Sequence, residues 1–141
     1  MIEQTPLPIL SSESMILPGQ ERRPPTHADI SVIEDRWEAV CRGGFQRGDV
    51  FALVDSLSDR MRQRPEIKKC LVDVREAEIT LGIMGEYVIG EYAAKKLAGL
   101  RVALIQGAGQ IKKLMEDTAY NRGLRILMVE NRQAALAWLE K

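Results

Sequence analysis

The chain has 141 residues, 45% of them hydrophobic and 28% charged, which is the size and composition of one domain built on a single core. Twenty Lys and Arg balance twenty Asp and Glu, so the formal net charge is zero and no global field draws the protein to nucleic acid or to an anionic membrane. No apolar run approaches the roughly 20 residues of a membrane-spanning helix, and the first residues lack the basic, apolar and small-residue blocks of a secretory signal, so a cytoplasmic location is expected.

Residues 1–27 differ from the remainder. They hold all but one of the six prolines and a polar Ser11-Ser12-Glu13-Ser14 cluster. Proline at this density resists helix and central strand alike, so an extended arm is expected, docked through Leu7, Ile9, Leu10 and residues 15–17. The domain proper is expected over 28–141. In residues 28–41, Ile30 and Val32 alternate with polar neighbours, a charged turn follows at Glu34, Asp35 and Arg36, and Trp37, Ala39 and Cys41 alternate again. Period-two alternation on both sides of a short polar break predicts a β-hairpin with one buried face, ended by Gly43 and Gly44.

Asp49 is placed to cap a helix in which Val50, Leu53, Val54, Leu57 and Met61 recur at helical spacing, stopped before Pro65. Residues 70–99 then read as a central strand, a charged loop at Arg75, Glu76 and Glu78, and a helix over 80–97. In that helix Leu81, Met84, Val88 and Tyr92 form one apolar line and Ile89, Ala93 and Leu97 the adjoining one. Gly82, Gly85 and Gly90 each weaken the helix by about 1 kcal/mol relative to Ala and are expected to let it approach the sheet. The run RVALIQ from Arg101 predicts a buried parallel strand, followed by a turn at residues 107–109. A helix over 110–122 should turn Ile111, Leu114, Met115 and Ala119 inward. RILMV from Arg125 predicts a further strand, and Asn131 caps a last helix that buries Ala134, Leu136 and Trp138 or Leu139. The spacing leaves one helix between successive strands, so these strands should be parallel. The predicted fold is α/β: a mixed sheet of about five strands, an antiparallel hairpin leading into parallel βαβ units, with about four helices.

The chemistry-bearing residues do not assemble into a catalytic set. Cys41 and Cys70 lack metal or CxxC spacing and read as buried free thiols. Asp73, Glu76 and Glu78 place three carboxylates within six residues, but a metal needs ligands converging from several segments. They read as a solvated loop, with Asp73 hydrogen-bonded at the strand end. His27 is the single histidine and reads as a surface residue, so no Ser-His-Asp or Cys-His scheme can be built. Gly107 and Gly109 imitate the opening of a dinucleotide fingerprint, but Lys112 stands where the third glycine belongs, and a tight turn is the better account. Lys95, Lys96, Lys112 and Lys113 read as solvated helix faces or as a basic face for an acidic partner. No cofactor and no metal are expected.

The element order, together with CLVDVRE from Cys70, NRG at residues 121–123 and the closing ALAWLE, resembles the STAS superfamily of bacterial anti-sigma-factor antagonists, most closely its SpoIIAA-like branch, over residues 30–141. The resemblance implies a non-enzymatic regulatory module that binds a protein partner, such as a regulatory kinase or a sigma-pathway protein, and is switched by phosphorylation at the start of the helix after the central strand. The Asp-Ser-Ser-Gly-like motif of that loop is absent here. Thr80 is the only Ser or Thr between Ser58 and Thr118, and is therefore the expected phosphoacceptor or helix N-cap. The partner surface is expected at Glu76, Glu78, Gly82, Gly85, Asn121 and Arg122. An alternative, from a looser similarity to lipid-carrier domains, is a carrier or sensor of a small apolar ligand lined by Met84, Val88 and Tyr92; these residues otherwise fill the core. A homodimer is expected if the apolar residues of the arm need a neighbour to cover them.

Overall fold

The computed structural model describes residues 12–16, 26–107 and 112–141. Six strands form one sheet in sequential order: β1 (Ser12–Ile16), β2 (His27–Ile33), β3 (Arg36–Phe45), β4 (Lys69–Ile79), β5 (Arg101–Ile105) and β6 (Arg125–Val129). β1 and β3 each run antiparallel to β2, while β3, β4, β5 and β6 are mutually parallel. The expected hairpin is β2 and β3. The sixth strand comes from the arm: β1 pairs with β2, Ser12 opposite Ser31 and Ile16 opposite His27. The expected apolar anchors Leu7, Ile9, Leu10 and Leu17 lie outside the described residues, as do residues 108–111 of the turn after β5.

Four helices complete the fold: α1 (Arg47–Gln63), α2 (Gly82–Lys96), α3 (Lys113–Asn121) and α4 (Arg132–Leu139). The first three are the crossovers of the parallel half, and all three pack on one face of the sheet. A sequential parallel order with every crossover on the same face is what a single crossover hand produces. Their core takes alternate residues of each strand: Trp37, Ala39 and Cys41 from β3, Cys70, Val72 and Val74 from β4, Val102 and Leu104 from β5, Ile126 and Met128 from β6. The intervening residues Leu71, Ala103 and Ile105 meet Ala135 and Leu139 of α4 on the opposite face. Both thiols are free and buried.

Several local expectations are corrected. β3 runs through Gly43 and Gly44 to Phe45. β4 does not turn at Arg75 but continues to Ile79. Its pairing with β3 slips at this point: Val40 faces Asp73, while Arg42 faces Glu76, so β4 carries one extra residue. This bulge lets Val74 and Ala77 both point inward, three residues apart, while the charged Arg75, Glu76 and Glu78 stay exposed. Asp49 is not the cap of α1 but its third residue. Gln46 holds the cap position and Asp49 accepts a hydrogen bond from its backbone N–H at 2.8 Å, closing a capping box. In α4 the buried residues are Ala135 and Leu139, with Leu136 and Trp138 half-buried and Ala134 exposed; Asn131 caps the helix as expected, accepting from the Ala134 N–H at 2.8 Å. Leu114 of α3 is exposed rather than inward.

Candidate functional site

The carboxyl end of β4 and the first turns of α2 lie beside one another. Ile79 ends β4, Thr80 follows with its side chain exposed, and its backbone N–H donates to the Phe45 carbonyl at 2.9 Å. Thr80 is not the N-cap. Leu81 occupies that position with no side-chain hydrogen bond, because the helix starts two residues later than the expected 80–97 span, at Gly82, whose φ of +72° a residue with a Cβ adopts at a cost. The first turn of α2 contains no acidic residue, so its N-terminal N–H groups meet no negative side chain of their own turn.

Directly after Gly82 the helix turns large apolar side chains to solvent: Ile83 is 75% exposed, Met84 63% and Tyr87 37%. Spacings of three and four residues put Met84, Ile83 and Tyr87 on one face. The inner face is carried by Gly85, Ile89, Gly90 and Ala93. Met84 therefore does not line a pocket between helix and sheet; it lies on the outer line of the two expected, and the Ile89, Ala93 and Leu97 line is the inner one. Val88 and Tyr92 sit in an open cleft on the outside of the helical layer, together with Phe51, Glu91, Lys95, Asn121 and Arg122. There the Tyr92 ring meets Phe51 edge-on with centroids 4.7 Å apart, and its hydroxyl donates to Asp55.

Of the expected partner-surface residues, Asn121 and Arg122 close this cleft at the end of α3. Arg122 binds Glu91 at 2.7 Å and donates to the Tyr87 hydroxyl at 2.8 Å, tying the end of α3 to the exposed face of α2. Gly85 is buried under the Arg47 side chain: a Cβ there would lie 3.2 Å from the Arg47 Nε. Gly90 does not bring α2 to the sheet but to α3, where a Cβ would stand 2.8 Å from the Met115 carbonyl oxygen and from the Thr118 Cβ. Glu76 and Glu78 lie on the other side of β4, so the expected patch is divided between two regions.

The three carboxylates of β4 are engaged separately. Asp73 accepts from the Arg75 Nη2 at 2.7 Å and from its Nε at 3.0 Å, and these bonds hold its carboxyl below the usual aspartate range. Glu76 pairs with Arg42 at 3.2 Å, which also binds Asp29 at 2.8 Å. Glu78 is exposed. Deeper on this face, Glu38 is buried between Arg36 (2.6 Å) and Arg132 (2.7 and 3.1 Å), which ties α4 to β3. Among the described residues no group of three or more His, Cys, Asp or Glu could hold a metal ion. His27 is half-buried within β2 rather than on the surface. Lys113 pairs with Glu116 and Asp117 at 3.1 and 3.3 Å, and Lys96 lies 3.8 Å from Asp55, which leaves Lys95 as the lysine of the cleft.

Tyr87 lies outside every expected surface, and Ile83 falls inside the expected 76–85 stretch but was not singled out. Their signal was an excess: α2 has apolar side chains on every side, more than one buried stripe can absorb.

No family model and no curated protein match the chain. A solved structure of an uncharacterised DUF3478-family protein from Shewanella loihica PV-4, described as having a SpoIIAA-like fold, is similar to it at 17% identity and a TM-score of 0.47. The match covers 92% of this chain and 96% of that one. Among the described residues no helix is long and apolar enough to cross a membrane.

Proposed function

We propose that the chain is a non-enzymatic regulatory module that docks a protein partner on the outer face of α2. The observation that carries this reading is the run of Ile83, Met84 and Tyr87, three large apolar side chains on one exposed helical face, with Leu114, 38% exposed, on the neighbouring helix. Scattered single apolar residues are normal on a surface, whereas a clustered set is what a partner covers. Arg122 and Glu91 supply the polar rim and Tyr87 an aromatic anchor, the residue types that concentrate binding energy in interfaces. The partner is a protein with a complementary apolar ridge, of the kind met in kinase-controlled regulatory pathways.

Thr80 is the modification site in this reading. It is exposed, and a phosphate there adds about −1.5 to −2 charge next to the start of the docking helix. The uncapped first turn of α2 accommodates that charge, while an apolar ridge arriving at Ile83 and Met84 does not. The carrier alternative gains no support from Met84, which faces solvent.

A native mass spectrum of the protein purified gently from its own cells tests the docking reading. The expected result is a second protein chain bound to the wild type and absent from the Met84→Glu variant. A spectrum without a second chain, or a second chain that survives the substitution, overturns it.

A further inference from the structure

Between the sheet and the layer formed by α1, α2 and α3 lies an apolar cavity of about 70 Å³. Fourteen side chains line it, all from the buried core: Leu53 and Leu57 of α1, Ile89 and Ala93 of α2, Met115 and Ala119 of α3, and the inward residues of β4, β5 and β6 among them. The lining contributes no polar surface. A void needs only about 10–15 Å³ to admit a water molecule, but a water also needs two to four polar partners, and this wall offers none. Cavities with such walls stay dry and take apolar guests.

We propose that this void is a binding site for one small apolar guest of about three heavy atoms or fewer, such as a dissolved gas or a two-carbon hydrocarbon. The upper limit follows from the volume: an engineered apolar cavity that admits benzene is about twice as large, so 70 Å³ holds about half as many heavy atoms. An acyl chain is excluded. The site differs from the expected carrier pocket, whose residues Met84, Val88 and Tyr92 are not in its wall. It also stands apart from the docking face: Ile89 and Ala93 border the void from the inner side of α2, while Ile83, Met84 and Tyr87 occupy the outer side.

Xenon is the probe. With the full chain in solution and no partner present, methyl chemical shifts are followed as xenon pressure is raised. The expected result is a saturable shift confined to methyl groups of the wall, such as those of Val72, Ile89, Leu104 and Met115. It should fall at least fivefold in Ala93→Val and in Ala119→Val, two separate fillings of the void, and remain in Ala134→Val on the exposed side of α4. Shifts that rise linearly with pressure and spread over surface methyls overturn the site, as does a saturable response that both fillings leave intact. Saturable shifts of the same methyls with benzene overturn the size limit. Because the isolated chain is measured, these outcomes are independent of whether a protein partner docks on α2.

Discussion

Glu38 shows what one buried charge does for this fold. Its side chain is 6% exposed, and burial alone pushes its carboxyl up, yet the hydrogen bonds from Arg132 and Arg36 outweigh that and hold it below its ordinary value of 4.5. A carboxyl held low in the folded state contributes stability above its unfolded value, and loses it as pH falls through the folded value. The expected outcome is therefore a stability that declines from about pH 4.5 downward, with a shallower acid limb in Glu38→Gln, measured as urea midpoints against pH. Removing the carboxylate altogether, as Glu38→Ala, leaves the buried Arg36 with only the longer 3.4 Å contact to the exposed Glu34 and is expected to cost up to about 3 kcal/mol. The two cysteines make a second residue-scale prediction. Burial pushes both thiols up to about 12, so almost no thiolate exists at pH 8. Neither should react rapidly with a thiol reagent in the native protein, and both should react in denaturant. Their burial was legible in the sequence from their place in strand-like runs. The Glu38 cluster was not, because Arg132 is 94 residues away and only the docking of α4 brings it to β3.

At the scale of elements, α2 is where periodicity misled and glycine informed. Gly90 lets α2 lie against α3, and Gly90→Ala sets a Cβ against a backbone carbonyl that cannot yield cheaply. Overpacking of about 1–3 kcal/mol is set against a gain in helix propensity of about 1 kcal/mol, so a net loss of up to about 2 kcal/mol is expected in denaturant unfolding. Gly48 near the start of α1, with nothing within 4 Å of its would-be Cβ, is the control, and Gly48→Ala should be neutral or stabilising. A glycine-weakened helix was readable from the text, but the neighbour that requires the glycine was not, since helix–helix contacts leave no mark in one segment's own pattern. The edge strand β6 makes the same point. Glu116 of α3 accepts the Met128 backbone N–H at 2.7 Å and so occupies part of an edge that no other strand pairs with among the described residues. Glu116→Ala leaves that buried N–H unmatched and should cost about 1–3 kcal/mol.

Over the whole molecule, the text carried the architecture well. Apolar runs at β4, β5 and β6 separated by one helix each leave little freedom: the strands are parallel, the crossovers lie on one face, and the carboxyl ends of the strands open next to the first turn of α2. The bulge in β4 was hidden, because charges at Arg75, Glu76 and Glu78 look the same on an exposed sheet face as in a loop. The exposed apolar face of α2 was hidden for a related reason, since an apolar residue in a helix is assigned inward until the packed structure shows that the inner face is already full. Whether α2 presents this face to a partner is read by amide hydrogen exchange of the chain with and without its co-purified protein. A partner seated on α2 gives new protection concentrated in residues 82–88, with Ile83→Glu weakening the complex at least tenfold, about 1.4 kcal/mol, and leaving the urea midpoint unchanged. Protection confined to the charged sheet face around Arg42 and Glu76, with residues 82–88 exchanging as in the free protein, would contradict it.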